Sequence, residues 1–399
     1  MGKATLAKAA QLDRYLVINM KYPTDLLTRT QLRIAKNNGF RLIAATVIVG
    51  VLVSTAQLLR GQVRPIVALI NPRGVAFNPV TGKAYTVDQS RGEVTISNDV
   101  TGSTVHVKVG AGPVSIAVNA ANGRAYVVNS DDGTVSVIDG KTDLLIATVP
   151  ATNHPYAIAA NSATGKVYVS RTYSDEITVI DGATDTPAGI KTGSPDFIAI
   201  NAKTDKVYLL GYEGGTVTVL DGASGAINKW SAGMHAWSVA VNETTGTVYV
   251  PRSGSAEVVA FPGGSSNSVK IPTGEIPCTV AINSQTNAIY VVNYGSNSVT
   301  VIDGVAEKTV ATVPVGDRPE AIVVDSVNNL IYVANTHDDS VTAIDGANNH
   351  VLTTLPAGKN PYALALDSNA GKLHVANLDD RSFTVIDVKH IRTGTLTHH

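Results

Sequence analysis

The stretch AYVVNSDDGTVSVIDG, residues 125–140, decides the fold of this chain. It contains two runs rich in β-branched and aromatic residues, separated by a polar turn that ends in glycine and followed by a second turn, Asp139-Gly140. Such runs are typical of β-strands, because branched side chains pack well on a pleated surface and Asp-Gly pairs tolerate the backbone of tight turns. The stretch therefore predicts a β-hairpin.

Related stretches recur along most of the chain. Positions equivalent to Tyr126 follow one another at spacings of 40–42 residues and are Tyr85, Tyr126, Tyr168, Tyr208, Tyr249, Tyr290, Tyr332 and His374. A proline stands thirteen residues before each of them, except that Ala236 replaces it in the fifth repeat. Each repeat divides into four strand-like runs, and units of this size that bury their faces against neighbours are propeller blades. The sequence predicts an all-β fold, an eight-bladed β-propeller of four-stranded antiparallel blades.

The two ends of the repeat array predict how the ring closes. The last repeat has three strand-like runs, and no clear fourth run follows Val388. A spare run, PIVALI at residues 65–70, precedes the first repeat and is similar to the outer strands of the others. We expect it to complete the last blade, because this pairing would remove an open sheet edge. The propeller then spans residues 65–388, and 389–399 form a C-terminal tail.

Three runs of the sequence resemble the YVTN β-propeller repeat family: AYVVNSDDGTVSVIDG, IYVVNYGSNSVTVIDG and IYVANTHDDSVTAIDG. The resemblance covers residues 65–388 and implies a fold rather than an activity. The first repeat departs from the pattern at Asp88 and at Asn98-Asp99, and the fifth departs at residues 262–264, which read PGG. Relatives by fold include lactonase-like hydrolases, antibiotic lyases and haem-binding propellers, and this likeness transfers no residues.

Composition restricts the classes of partner and site. The net charge is −1, with 31 basic and 32 acidic residues, whereas binding to nucleic acid needs a basic face. We therefore expect no nucleic-acid partner. The single cysteine, Cys278, excludes an internal disulfide and lies in a predicted strand, where it should act as a small buried hydrophobic residue. The sequence contains no nucleophile elbow, phosphate-binding loop, HExxH or CxxCH motif.

The N-terminal region predicts export. Residues 42–59 carry no charge and follow a basic segment, which is typical of a signal-peptide core or a membrane anchor. Residues 1–41 would then be a cytoplasmic tail or a long basic leader, 42–60 the signal or anchor, and Met20 an alternative start. A buried core helix is the alternative for 42–59. We expect the propeller to be periplasmic, extracellular or at the cell surface, with the membrane contacted only through 42–59.

Two rows of residues should meet at the end of the ring where the innermost strands begin, here called the mouth. The first row follows the proline position, and the second lies three residues after each Tyr126 equivalent. Four members of the second row are asparagines, which we interpret as turn residues that bond their own backbone. Arg171 and Arg252 replace them in blades three and five. Variable loops on a regular scaffold are where binding sites usually lie.

Blades three to five also supply most of the aromatic and ionisable side chains of the mouth. The candidate ligand-binding residues are Arg171, Arg252, Tyr156, Trp237, His154, His235, Asp196 and Tyr173, with Tyr212 beside them. Arginine offers a planar fork of donors suited to carboxylate or phosphate, and the rings offer stacking surface. The expected ligand is a small anionic or sugar-like molecule, or another protein.

Two classes of function compete. The first is a monomeric, exported binding scaffold that is not an enzyme and has no predicted cofactor. The alternative is an enzyme with its site at the mouth, either a lactonase-like or lyase-like hydrolase or a haem-binding oxidoreductase. A haem or a divalent metal stays open, with His154 and His235 as the only candidate ligands at the mouth. Assembly into a surface layer is a third possibility.

Overall fold

The computed structural model describes residues 63–68, 72–151, 154–171 and 174–391. They form eight four-stranded antiparallel sheets, which confirms the predicted all-β, eight-bladed propeller. Residues 42–59, in which export is predicted, lie outside these ranges. Within the ranges there is no helix with the length and hydropathy that a membrane crossing requires.

The strands follow one another blade by blade. Blades one and two contain β2 (Pro72–Asn78), β3 (Lys83–Asp88), β4 (Glu93–Asn98), β5 (Thr104–Lys108), β6 (Pro113–Asn119), β7 (Arg124–Asn129), β8 (Thr134–Asp139) and β9 (Leu144–Pro150). Blades three and four contain β10 (Pro155–Ala160), β11 (Lys166–Arg171), β12 (Glu176–Asp181), β13 (Thr186–Lys191), β14 (Phe197–Asn201), β15 (Lys206–Leu210), β16 (Thr216–Asp221) and β17 (Ile227–Ser231).

The second half of the ring has the same order. Blades five and six contain β18 (Ala240–Val241), β19 (Val248–Arg252), β20 (Glu257–Phe261), a 3-10 turn (Pro262–Gly264), β21 (Val269–Pro272), β22 (Pro277–Asn283), β23 (Ala288–Asn293), β24 (Ser298–Asp303) and β25 (Lys308–Pro314). Blades seven and eight contain β26 (Pro319–Asp325), β27 (Leu330–Asn335), β28 (Ser340–Asp345), β29 (His350–Pro356), β30 (Pro361–Asp367), β31 (Lys372–Asn377), β32 (Ser382–Asp387) and β1 (Val63–Ala68).

The hydrophobic core lies between the blades. The first strand of each blade is innermost and neighbours the first strands of the adjacent blades, as β6 neighbours β2 and β10. The second and third strands, such as β7 and β8, are buried along most of their length, whereas the outer strand β9 is largely exposed. Tyr85 of blade one packs in one cluster with Val127 of blade two. This arrangement explains the β-branched composition, because both faces of each blade are covered by its neighbours.

The repeated tyrosine and the Asp-Gly pair meet across the blade interfaces. A Cβ on Gly140 of blade two would lie 2.9 Å from the hydroxyl of Tyr85 in blade one. The side chain of Asn78 donates a hydrogen bond of 2.8 Å to the carbonyl of Gly123 in the next blade. The carboxylate of Asp139 accepts the backbone N–H of Lys141 and so fixes the turn. The glycine is therefore required for the close approach of one blade to the next.

The predicted closing strand is confirmed. β1 pairs with β32 as the outer strand of blade eight, in the sheet order β1, β32, β31, β30. It begins at Val63, two residues before the predicted start, and its pairing runs to Ala68. The ring is therefore closed by hydrogen bonds between the two ends of the propeller domain, which leaves blade eight with the same four strands as the others.

Candidate functional site

The two variable rows meet at the mouth, as the repeat spacing predicts. The proline position pairs directly with the second-row residue of the same blade, as in Pro113 with Asn129 and Pro155 with Arg171. In blade five, which lacks the proline, Ala236 forms an isolated bridge with Arg252. Seven of the eight blades thus place the residue at the proline position beside the last residue of the second strand.

A β-bulge accounts for the chemical variability of the first row. In blade two, Pro113 pairs with Asn129 and Ser115 pairs with Val128, so Val114 is an extra residue without a partner in the ladder. The same irregularity recurs in blades one, three, six, seven and eight. A bulge re-aims the side chain of the extra residue and frees it from the regular alternation of the strand.

The asparagines of the second row do not act as predicted. They are buried, and each donates to two hydroxyl groups of the next strand: Asn335 donates to Ser340 (3.0 Å) and to Thr342 (2.9 Å). Asn129, Asn293 and Asn377 make the equivalent pairs of hydrogen bonds. The interpretation as turn residues that bond their own backbone was wrong, because these positions end a buried strand and face its neighbour.

Arg252 replaces the asparagine of blade five together with its partner. The residue five positions further on is Ser or Thr in the blades with asparagine, but it is Glu257 here. Arg252 forms an ion pair with Glu257, and Lys270 lies 3.4 Å from the same carboxylate. The sequence analysis missed Glu257, although the paired change of Asn to Arg and Ser to Glu is visible in the repeats. The charge of Arg252 is therefore already balanced within its blade.

Arg171 stands at the same position in blade three but has different surroundings. Glu176 lies five residues further on, as Glu257 does in blade five. Its carboxylate, however, lies against the outer strand β13, where it fills the space that a Cβ on Gly189 would take. Among the described residues, the half-buried side chain of Arg171 has neither a hydrogen bond nor an ion pair. Of the two predicted arginines, only Arg171 presents an uncompensated guanidinium at the mouth.

Trp237 lies where the innermost strand of blade five is interrupted. The regular ladder of β18 starts only at Ala240, after the isolated bridge at Ala236. Between them, the backbone N–H of Trp237 donates to the carbonyl of Pro251 at 3.1 Å. Trp237 is 40% exposed, so part of this large apolar residue is open to solvent at the mouth. The missing proline in the sequence thus marks a real irregularity.

Contacts link the candidate residues from blade three to blade five. The hydroxyl of Ser170, next to Arg171, donates to the carbonyl of Asp196 at 3.3 Å. The carboxylate of Asp196 accepts the backbone N–H of Tyr212 at 2.8 Å. The Tyr212 ring then meets Trp237 edge-on, with ring centroids 5.5 Å apart, and burial raises the pKa of its hydroxyl. These contacts run from blade three to blade five, and the mouth residues Arg171, Tyr156, Asp196, Tyr212 and Trp237 are here called the blade 3–5 mouth.

Two histidines project from left-handed backbone at the rim of the blade 3–5 mouth. His154 and His235 have φ values of 56° and 60°, and blade two has Gly112 at the equivalent position, with φ of 61°. A non-glycine residue in this conformation costs about 1–2 kcal/mol. Both histidines are exposed. The ring centroids of His235 and Tyr212 lie 6.0 Å apart. Ile276, Arg318 and Asn360 have the same left-handed backbone at this position in blades six to eight, so the conformation belongs to the repeat and is not particular to the histidines.

The remaining predicted residues have distinct positions. Tyr156 is 47% exposed on blade three, beside the proline that pairs with Arg171. Tyr173 lies outside the described residues. Within the described ranges, no three His, Cys, Asp or Glu side chains come together as the ligands of a metal ion would. Haem binding is not tested by these observations.

Blade six, next to the blade 3–5 mouth, contains a buried thiol. Cys278 is buried as predicted, and burial raises its pKa to about 12. A thiol with such a pKa forms almost no thiolate at neutral pH and is a poor nucleophile. Burial also raises the pKa of Glu320 in the next blade. The chemistry available in blades six and seven differs from the cationic and aromatic character of the blade 3–5 mouth.

Comparison with known proteins supports the fold. No protein-family model and no curated protein matches the chain, so membership of the YVTN-repeat family stays a prediction. The solved structures similar to it include the following three. Kuenenia stuttgartiensis hydrazine synthase is 18% identical with a TM-score of 0.58, over 81% of this chain and 97% of that chain. Streptogramin B lyase is 10% identical with a TM-score of 0.55, over 82% of this chain and 97% of that chain.

The third is dihydro-heme d1 dehydrogenase NirN, solved in complex with DHE. It is 13% identical with a TM-score of 0.63, over 72% of this chain and 67% of that chain. At these identities the likeness concerns the fold alone. The chain is therefore an eight-bladed β-propeller with enzymes among its structural neighbours.

Proposed function

We propose that this protein is a ligand-binding propeller whose site is the blade 3–5 mouth. The ligand is a small molecule that combines an anionic group with a sugar-like or otherwise ring-shaped part. Arg171 provides the main polar contact, and Tyr156 and Trp237 provide ring surfaces. The observation that carries the proposal is the uncompensated guanidinium of Arg171, because the equivalent Arg252 is neutralised by Glu257.

The position of Arg171 favours an anion that binds from the mouth. A half-buried guanidinium without a carboxylate partner has lost part of its hydration and gains when an anion binds to it. Its planar donors match the two oxygens of a carboxylate or phosphate. The irregular inner strand of blade five, in which Trp237 is exposed, is a further departure from the repeat at this surface. Binding sites often combine a few polar groups with aromatic walls in this way.

Export is the second part of the proposal. It rests on the uncharged residues 42–59 and the basic segment before them. A reporter that is active only outside the cytoplasm, fused after residue 399, should be active in this fusion. A full-length, soluble fusion without reporter activity would contradict export and leave the binding proposal intact. The enzymatic alternative rests on likeness of fold, which transfers no chemistry to this chain.

A ligand screen tests the binding site. Wild-type propeller, Arg171→Ala, Arg171→Lys and Arg252→Ala are compared by calorimetry against uronic acids, sugar phosphates and dicarboxylates. Loss of one charge-assisted contact should weaken binding by about 1.5–3 kcal/mol, or roughly ten- to a hundred-fold, in Arg171→Ala. Lysine should restore part of the affinity, because it keeps the charge but lacks the planar fork.

Arg252→Ala is the matched control. It removes an arginine from the equivalent strand position, but that arginine is bound to Glu257. We expect lower stability with a ligand profile close to that of the wild type. Identical profiles for Arg171→Ala and the wild type, with both proteins folded, would contradict the proposed site. A protein partner that binds the wild type but not Arg171→Ala would contradict the proposal that the ligand is a small molecule.

A further inference from the structure

The interface between blade eight and blade one differs from the other blade interfaces. At the junctions of blades one and two, two and three, and six and seven, a glycine closely approaches a buried tyrosine hydroxyl. Cβ atoms on Gly140, Gly182 and Gly346 would lie 2.9–3.0 Å from those hydroxyls. Where blade eight meets blade one, His374 replaces the tyrosine and Asp99 replaces the glycine. Asp99 is the only charged residue at this position, which holds glycine in six blades and Val388 in blade eight.

His374 and Asp99 face each other in the interface. Nε2 of His374 lies 2.8 Å from Oδ2 of Asp99, and the two side chains are 0% and 6% exposed. Neither atom forms a hydrogen bond of regular geometry among the described residues, so this close contact is the only polar contact of each. The pair therefore combines two buried polar groups from opposite ends of the repeat array, and each is left without a partner if the other is absent.

Two phenylalanines enclose the histidine. The His374 ring stacks on Phe383 of the same blade, with centroids 5.4 Å apart and planes 12° apart. It also stacks on Phe77 of blade one, at 6.1 Å and 16°. Both positions are aliphatic in the seven other blades. Four departures from the repeat pattern thus coincide at one interface, here called the seam: His374, Asp99, Phe77 and Phe383.

We infer that the seam is a lock that sets the number of blades in the ring. Near-identical repeats can pack in more than one register, and propellers close with different numbers of blades. If blade seven packed on blade one, Tyr332 would face Asp99. If blade eight packed on blade two, His374 would face Gly140 and lose its carboxylate. Against Tyr332, the Asp99 side chain would have to fit where a Cβ alone lies 2.9–3.0 Å from the tyrosine hydroxyl at other junctions. Against Gly140, the buried imidazole would have no carboxylate beside it. Both penalties separate the correct interface from its competitors.

The seam contributes specificity more than stability. Replacing a buried polar pair by apolar or consensus residues is often neutral for stability, whereas removing one partner is costly. Each of Asp99→Gly and His374→Tyr should therefore lower the urea midpoint of unfolding. The double variant should recover most of that loss, because it restores the tyrosine and glycine found at other junctions. Additive effects of the two substitutions would overturn the lock.

Refolding tests the blade count directly. In the consensus-seam variant, His374→Tyr and Asp99→Gly are combined with Phe77→Val and Phe383→Val. After dilution from urea, the wild type should give one protease-resistant monomer. The variant should give a mixture in which blade one or blade eight is cleaved or exchanges its amide hydrogens rapidly. Homogeneous refolding of the variant would overturn the inference.

A destabilised control separates specificity from stability. Val127→Ala makes a cavity in the core between blades one and two without changing the seam. At a urea midpoint equal to or below that of the consensus-seam variant, Val127→Ala should still refold to one species. If this control gives the same mixture, lost stability alone explains the result and the inference fails.

Discussion

At the residue scale, the second row of the mouth shows how one position can serve structure or binding. Asn335 and its three equivalents each join two strands through buried hydroxyls. In blade five the same position holds an arginine together with its own glutamate, and in blade three it holds Arg171 with that glutamate turned away. Under the proposed function, a position that binds its own scaffold in most blades is available for a ligand in blade three.

The structural role of the asparagines can be tested in blade seven. Asn335→Ala leaves the hydroxyls of Ser340 and Thr342 buried without this donor. The free energy of unfolding should fall by about 1–3 kcal/mol, measured by urea denaturation. Asn348→Ala is the control, because Asn348 lies in an exposed turn and its effect should stay within about 0.5 kcal/mol. Equal effects of the two substitutions would contradict the role of the buried asparagine.

The Asp-Gly glycine should tolerate no side chain. Gly140→Ala would place a Cβ against the carbonyl of Gly123 and 2.9 Å from the Tyr85 hydroxyl. Blade two would have to move away from blade one, at a cost of about 1–3 kcal/mol. Gly74→Ala offers a comparison, because its nearest neighbours would be 3.5 Å away at ordinary contact distance. Thermal unfolding should show a much larger drop for Gly140→Ala, and similar drops would contradict this account.

At the element scale, the regular repeats made the strands predictable from the sequence, whereas departures from the repeat pattern were harder to recognise. Strand order, blade count and the closing strand followed from turn residues and spacing, because every blade obeys the same local rules. The shortened inner strand before Ala240 did not follow, since its sequence keeps the apolar pattern and only the missing proline marks it. Glu257 was missed because a single exposed-looking glutamate has no meaning until its position is compared with Ser340 in another blade.

The closing strand β1 should contribute strongly to stability. Deleting residues 1–70 removes the partner of β32 and leaves blade eight with three strands and an unpaired edge. The melting temperature should fall by several degrees. In a domain of this size, each loss of about 1 kcal/mol in the free energy of unfolding lowers the melting temperature by roughly 2–4 °C or less. Deleting residues 392–399 is the control and should leave the melting temperature unchanged. An unchanged melting curve without β1 would contradict the closure.

At the scale of the whole molecule, the proposed binding surface and the seam occupy opposite sides of the ring. The blades follow one another in chain order, so blade four, at the centre of the blade 3–5 mouth, lies across from blade eight. Departures from the repeat pattern therefore fall into two groups with separate roles. One set places aromatic side chains at the mouth together with Arg171, which has no ion pair among the described residues. The other set distinguishes the interface at which the ring closes.

The buried tyrosines predict unfolding of the whole ring at alkaline pH. Burial raises the pKa of Tyr168 and of Tyr290 to about 12, from 10.0. An unfolded chain therefore ionises these hydroxyls before the folded chain does. Their contribution to stability is complete below pH 10 and is lost as the pH rises from about 10 to about 12, by roughly 2–3 kcal/mol for each tyrosine.

Removing the titrating hydroxyls should protect the protein. Neither hydroxyl has a hydrogen-bonding partner among the described residues, so Tyr168→Phe with Tyr290→Phe should cost little at neutral pH. The midpoint of alkaline unfolding, followed by circular dichroism, should move to higher pH in the double variant. Tyrosinate absorbance in the wild type should rise together with unfolding. Ionisation of the core tyrosines near pH 10 in a protein that stays folded would contradict the raised pKa values, because a buried phenolate between two blades has no counter-charge to stabilise it.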